Sequence, residues 1–202
     1  MTNPYQAPAA NLDLAAQHSA NSDQQVGGFW LRVAAKLLDF VIMLPLVGVT
    51  YWLSTTSRFF YLSWIVPGII TGLCYSVYLV GRYGATPGKL VMKLRVQMKD
   101  GSPVTFTAAL IREAPVMLLG AAINLGLGLS ALSMDDGTYL NYGFLARSEA
   151  LMASGPGWLT AVNWIMQGWT WVGAIVMLLN SRRRAVHDFL AGTVVVKVAR
   201  LS

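Results

Sequence analysis

Three ionisable residues are closely spaced at the start of a long apolar segment. Arg32, Lys36 and Asp39 are separated by four and three residues, so in a helix they share one face. A charged group inside a membrane is costly, and it usually pairs, contacts water or performs a function. Asp39 could therefore be a cation or proton site, and the alternative is an interhelical salt bridge with a purely structural role. Either role predicts that Asp39 faces the interior of a helix bundle.

Few other residues suggest chemistry. Asn124 lies in the middle of a later apolar segment, where amides commonly hydrogen-bond between helices and can also bind a partly hydrated cation. His187 and Asp188 are adjacent, but no Ser or Cys motif accompanies them as a nucleophile. Residues 84–89 resemble a phosphate-binding loop only superficially, because such a loop needs Gly where Tyr83 stands and Ser or Thr where Leu90 stands. We therefore expect no enzyme activity, no cofactor and no metal site.

The composition is typical of a membrane protein. Of the 202 residues, 55% are hydrophobic and 12% are charged, and the mean hydropathy is +0.51, whereas soluble domains carry about 25% charged residues. A spanning helix needs about 20 apolar residues, and four segments meet this condition. We predict helices at about 33–53, 59–80, 107–134 and 158–180.

The basic residues predict an orientation. The net charge is +6, and all Lys and Arg residues except Arg58 and Arg147 lie near the start of the first helix, between the second and third, or after the fourth. Loops rich in Lys and Arg stay in the cytoplasm. We therefore expect cytoplasmic termini and no nucleic-acid partner. Residues 1–26 contain no Lys or Arg and are predicted to be a disordered cytoplasmic tail, and residues 199–202 form a short end segment.

The loop between the second and third helices contains a strand pattern. From Leu90 to Lys99, apolar residues alternate with mostly polar ones, which is typical of a half-buried strand. After a turn at residues 100–101, Val104–Phe106 could return as a second strand, and Thr193–Val198 is another β-branched run. The predicted fold class is thus an all-α integral membrane protein with four transmembrane helices and a small amphipathic β segment at the cytoplasmic face.

Four motifs follow one another along the chain: Phe29–Asp39, Gly84–Lys89 with Leu94–Val96, Ala108–Glu113, and Arg184–Thr193. Their residues and order resemble those of the RDD family of bacterial integral membrane proteins. The resemblance implies an RDD membrane domain at 27–198 and a place in the bacterial cytoplasmic (inner) membrane. The arginine and two aspartates that name the family fall by motif on Arg32, Asp39 and Asp188. Most members have no established activity, and some have been linked to sodium/proton antiport.

Two functional hypotheses follow for these three residues. In the first, the protein is a small transporter with Asp39 as its cation or proton site and Asp188 at the cytoplasmic mouth. In the second, it is a non-catalytic scaffold or accessory subunit, and Arg32, Asp39 and Asp188 form a structural clasp. The expected partners are the lipid bilayer, anionic headgroups at the basic face and a second copy of the chain, because four helices are few for alternating access. The supporting residues in either hypothesis are Lys36, Asn124, Arg184 and His187.

Overall fold

The structure, a computed structural model, describes residues 25–180 and 183–198. Within these residues, four helical stretches are long and apolar enough to cross a membrane, which confirms the predicted number of spanning segments. These stretches are Phe29–Thr56, Phe60–Val91, Phe106–Ser133 and Gly157–Leu179. Outside the described residues lie most of the predicted N-terminal tail, Arg182 and the end segment 199–202.

Nine α-helices, one π-helical turn and two strands form the described part of the chain. The helices are α1 (Phe29–Thr56), α2 (Phe60–Gly72), α3 (Leu79–Tyr83), α4 (Pro87–Val91), α5 (Phe106–Ser133), α6 (Asp136–Asn141), α7 (Phe144–Ala153), α8 (Gly157–Leu179) and α9 (Val186–Leu190). The π-helical turn is Leu73–Tyr78, and the strands are β1 (Leu94–Met98) and β2 (Thr193–Lys197).

The long helices direct many large apolar side chains outward. Leu118 is 71% exposed, Trp171 is 68% exposed and Leu179 is 82% exposed. Such surfaces are uncommon on a soluble monomer, whereas lipid tails cover them at no cost in a bilayer. The side chains that are fully buried lie mainly towards the two ends of the bundle.

The second span is interrupted before it reaches β1. The π-helical turn separates α2 from α3, and α3 ends at Gly84, whose φ of 75° is the left-handed conformation common at helix ends. The Gly84 carbonyl accepts a hydrogen bond of 2.7 Å from the Val96 N–H, which fixes this turn to β1. Pro87 then begins α4, a position that suits its fixed φ.

The two strands pair antiparallel at one end of the bundle, which we call the sheet end. The register runs from Leu94 opposite Lys197 to Met98 opposite Thr193. Leu94 and Val96 are buried, whereas Arg95 is exposed, as expected of an amphipathic strand. The prediction of a small β segment with this alternation is confirmed, although it begins at Leu94 because residues 87–91 are helical.

The predicted return strand at Val104–Phe106 is wrong. Only an isolated bridge joins Gln97 to Pro103, and Pro103 has no N–H with which to continue a ladder. Thr105 instead caps α5, since its side-chain oxygen accepts a hydrogen bond of 3.1 Å from the Ala108 N–H. The partner of β1 is β2, about 100 residues later in the chain.

The opposite end of the bundle, the far end, is closed by α6 and α7. The carbonyl of Ser54, in the last turn of α1, accepts hydrogen bonds from the Tyr139 hydroxyl at 2.7 Å and from Arg147 at 3.2 Å. Arg58 forms an ion pair of 2.9 Å with Asp136. The two basic residues that the charge pattern separates from the others thus lie together at the far end.

Candidate functional site

The first polar centre is built around Asp188, whose side chain is fully buried. Its Oδ2 lies 3.0 Å from Arg32 of α1, and its Oδ1 lies 2.6 Å from Arg112 of α5. Both arginine side chains are only 9% exposed. The short helix α9 presents this carboxylate, because Asp188 is its third residue and also accepts a hydrogen bond from the Ala185 N–H at 3.1 Å.

The two arginines keep this carboxylate ionised. Burial alone would raise the pKa of Asp188, but the nearby positive charges, Arg112 foremost, hold its pKa at about 2. A buried ion pair is stable only when its remaining polar atoms also find partners. Arg32 meets this condition by donating to the Gly27 carbonyl at 3.1 Å and to the Val195 carbonyl at 3.2 Å.

Further contacts extend the Asp188 centre to β2. Arg112 donates to the Thr193 hydroxyl at 2.7 Å, and that hydroxyl donates to Asp188 Oδ1 at 3.3 Å. Arg184 donates to the backbone carbonyls of Asp188 at 2.8 Å and Thr193 at 2.9 Å, so it closes the turn around α9 rather than pairing with the carboxylate. The His187 ring lies 3.7 Å from the Asp188 carboxylate.

The second polar centre holds Asp39, which is buried on α1. Its Oδ1 accepts hydrogen bonds of 2.7 Å from the Tyr75 hydroxyl and from the Gly88 N–H. Its Oδ2 accepts one of 2.7 Å from the Thr86 hydroxyl. Tyr75 reaches this carboxylate from the π-helical turn, and Thr86 and Gly88 belong to the start of α4. Asp39 therefore supplies, from another helix, the acceptor that an N-cap side chain normally provides.

This centre requires glycine at position 88. A Cβ there would lie 2.3 Å from the Ala35 carbonyl oxygen and 2.8 Å from the backbone nitrogen of Asp39. Both are backbone atoms of α1 and cannot rotate away. The absence of a side chain thus lets α4 lie directly against α1.

The sequence predicts one set of three residues, Arg32, Asp39 and Asp188, and the structure brings only two of them together. Arg32 and Asp188 are in contact, whereas Asp39 follows Arg32 by seven residues, about 10 Å along the helix. Among the described residues, Asp39 shares no hydrogen bond or ion pair with Arg32, Asp188 or Lys36. The Lys36 side chain is exposed. The predicted set is therefore two separate centres, because Asp39 is already saturated by Tyr75 and α4.

Asn124 also differs from its predicted role between helices. Its Nδ2 donates to the Gly120 carbonyl at 2.9 Å, within the same helix. No group of three His, Cys, Asp or Glu residues that could hold a metal ion occurs in the part of the chain that the structure describes.

Several residues of the two centres were not predicted from the sequence. Arg112, which forms the shorter ion pair with Asp188, was noted only as part of a motif at the start of the third helix. Its position near the predicted cytoplasmic end of a helix favours a role in orientation, and only the fold shows its partner. The residues that were missed are Arg112, Thr193, Tyr75, Thr86 and Gly88.

The chemistry of both centres is that of fixed ionic and hydrogen-bonded contacts. Each oxygen of Asp39 and of Asp188 accepts at least one hydrogen bond from the protein. The Asp188 centre joins α1 and α5 to α9 and β2. The Asp39 centre joins α1 to the π-helical turn and α4.

Comparison with known proteins agrees with this architecture. A sequence model of the RDD family matches residues 26–192. The uncharacterised protein YckC of Bacillus subtilis (strain 168) is 32% identical over 109 residues, which cover 52% of this chain and 67% of that protein. No solved structure matches. The matched region contains Asp39, Asp188 and all four candidate spans, and the chain belongs to the RDD family.

Proposed function

We propose that this protein is a non-catalytic scaffold of the bacterial inner membrane, in which the two aspartate centres hold a cytoplasmic sheet on a four-helix bundle. One observation carries the proposal: both oxygens of each aspartate are engaged by donors from distant parts of the chain. Asp188 binds Arg32 and Arg112, which lie 156 and 76 residues before it. Asp39 binds residues 36 to 49 positions after it. Carboxylates used in this way stabilise a fold.

The alternative function, cation or proton exchange at Asp39, needs a carboxylate that can change its partners. Asp39 accepts three hydrogen bonds of 2.7 Å, one of them from the backbone of Gly88. A cation could replace them only if α4 moved away from α1. Hydrogen bonds to a charged group are each worth about 1.5–3 kcal/mol, so this movement would be costly. The geometry thus favours the scaffold over the transporter.

Flux measurements on purified protein in liposomes separate the two functions. The scaffold predicts no movement of Na⁺ or H⁺ above that of empty liposomes. It also predicts that Asp188→Asn lowers the melting temperature in detergent. Asp136→Asn is the matched control, because Asp136 also pairs with an arginine but is 68% exposed, and exposed pairs contribute about 1 kcal/mol or less. Flux that Asp39→Asn abolishes without changing the melting temperature would establish the transporter instead.

The orientation and the lipid partner belong to the same proposal. The exposed basic residues near the sheet end include Lys93, Arg95, Lys99 and Lys197. Basic groups at a membrane surface attract anionic headgroups, by about 1 kcal/mol per residue. A reporter fused after residue 198 should be active only in the cytoplasm, and anionic nanodiscs should raise the melting temperature relative to zwitterionic ones. A periplasmic reporter would contradict this orientation.

A further inference from the structure

A groove of about 200 Å³ runs between α2 and α5, apart from both aspartate centres. Trp64, Gly68 and Gly72 line it from α2, and Glu113 and Asn124 line it from α5. Glu113 and Asn124 are eleven residues apart, which places them on the same face of α5, about 16 Å from each other along the helix. The groove is therefore long and narrow, with a carboxylate near one end and an amide near the other.

Glu113 is the acidic residue of this groove. Among the described residues it forms no ion pair or hydrogen bond, although Arg112 is its neighbour in sequence. Arg112 is directed towards Asp188 at 2.6 Å, on a different side of α5. Asn124 uses its Nδ2 in the bond to Gly120, which leaves its Oδ1 as an acceptor. The polar atoms that α5 offers to the groove are thus acceptors, and one carries a negative charge.

The glycines of the groove are not needed for helix packing. A Cβ on Gly120, which also lines the groove, would meet nothing within 4 Å. On Gly72 it would meet only the flexible Met117 side chain at 3.5 Å, and on Gly68 only Trp64 of the same helix at 3.4 Å. Glycine inside a helix costs about 1 kcal/mol relative to alanine. These glycines therefore keep the groove open, in contrast to Gly88, which permits a close helix contact.

We propose that this groove binds an organic ammonium ion with an apolar body. The ammonium group would bind the Glu113 carboxylate, and the apolar body would lie along Met117 and the glycines towards Trp64. A cavity of about 150 Å³ accommodates benzene, so a groove of about 200 Å³ is suited to a short arylalkyl amine. A neutral acyl chain would fill the apolar part but leave the carboxylate uncompensated at the edge of the bilayer.

Three probes with the same phenethyl body and a positive, neutral or negative head group test this proposal directly. Purified wild-type protein in nanodiscs is dialysed to equilibrium against labelled phenethylammonium, 2-phenylethanol or 3-phenylpropanoate, and empty nanodiscs correct for partitioning into lipid. We expect saturable binding of phenethylammonium at one site per chain. The neutral and anionic probes should bind at least ~10-fold more weakly, because neither forms an ion pair with Glu113: the alcohol keeps only a hydrogen bond from its neutral hydroxyl, and the carboxylate is repelled.

Two variants assign the binding to the groove. Glu113→Gln removes the charge and keeps the shape, so phenethylammonium binding should weaken at least ~10-fold. Gly120→Leu fills the groove and should abolish binding. The matched controls are Glu149→Gln, which removes an exposed carboxylate on α7, and Gly173→Leu on α8, where a Cβ also meets nothing within 4 Å. Both controls should bind as the wild type does.

The proposal fails if the three probes bind wild-type protein equally, if binding does not saturate, or if Glu113→Gln binds as well as wild type. Equal binding of the charged and neutral probes would show that contacts with the phenyl body alone hold the ligand, which overturns the assignment to an ammonium ion. If a variant does not fold, as judged by its melting curve, the comparison of the three probes on wild-type protein decides alone. The test involves neither Asp39 nor Asp188, so its outcome is independent of the scaffold function.

Discussion

Replacing Gly88 by alanine tests the close contact between α4 and α1. A Cβ at this position would lie 2.3 Å from the Ala35 carbonyl oxygen, whereas ordinary contacts begin at 3.4 Å. Relieving the clash requires α4 to move outward by about 1 Å. The bond of 2.7 Å from the Gly88 N–H to Asp39 would then exceed hydrogen-bonding distance.

The expected loss of stability follows from these two effects. Overpacking typically costs about 1–3 kcal/mol, and a hydrogen bond to a charged group contributes about 1.5–3 kcal/mol. Outward movement of α4 relieves the clash but breaks the hydrogen bond, so the two costs do not add in full. We therefore expect the free energy of unfolding to decrease by about 3 kcal/mol. For a chain of this length that corresponds to a melting temperature roughly 6–12 °C lower.

The assay is thermal melting of purified protein in detergent, followed by tryptophan fluorescence. Gly48→Ala is the matched control, because a Cβ at Gly48, also in a helix interior, meets nothing within 4 Å. Alanine is the better helix former by about 1 kcal/mol, so this control should melt at the wild-type temperature or above it. If Gly88→Ala melted at the wild-type temperature as well, α4 could not lie against α1 as described, and the Asp39 centre would be refuted with it.

Three further predictions concern the same two centres. Arg112→Ala should lower the free energy of unfolding by about 3 kcal/mol, because removing one partner of a buried ion pair typically costs about 3–5 kcal/mol. The control is Arg58→Ala, which removes one partner of a partly exposed pair. An equal or smaller loss for Arg112→Ala than for Arg58→Ala would contradict the prediction. The pKa of Asp188 is about 2 in the folded protein, whereas its ordinary value is 3.8. The lowered pKa corresponds to a stabilisation of about 2 kcal/mol. This stabilisation is present above about pH 4 and is lost as the pH falls through the folded-state pKa. Melting temperatures measured from pH 6 to pH 2 should fall below pH 4, and Asp188→Asn should flatten this decline. Tyr75→Phe removes one of three hydrogen bonds to Asp39 and should lower stability by about 1–2 kcal/mol; an unchanged denaturation curve would show that the hydroxyl contributes nothing.

The spans and the first strand were predictable because their signals are local. Long apolar runs identified the four spanning segments, and alternation of residue type identified β1. The false strand at Val104–Phe106 shows the limit of such signals, since β-branched and aromatic residues there outweighed the cap residue Thr105 and the missing N–H of Pro103. The pairing of β1 with β2 depends on packing between distant segments, which no local pattern encodes.

The central charged residues of the candidate site are visible in the sequence, whereas most of their partners are not. The sequence predicts a functional or structural role for Arg32, Asp39 and Asp188, yet their spacing cannot distinguish one centre from two. The second arginine at Asp188 comes from α5, and the partners of Asp39 come from the π-helical turn and α4. These contacts depend on the angles between helices, and a π-helical turn rotates all later side chains of the second span relative to an ordinary helix.

The position of Asp188 in the chain also determines the order in which the fold can form during synthesis. Arg32 and Arg112 emerge from the ribosome 156 and 76 residues before their shared carboxylate. At about 5–20 residues per second, Arg32 is synthesised roughly 8–30 s before Asp188. Throughout that interval the helices can insert, but β1 has no partner strand and both arginines lack their counter-charge. The closing segment from Ala185 to Lys197 therefore completes the sheet end last, and a chain interrupted before Asp188 would expose unpaired charges and an unpaired strand edge to cellular proteolysis.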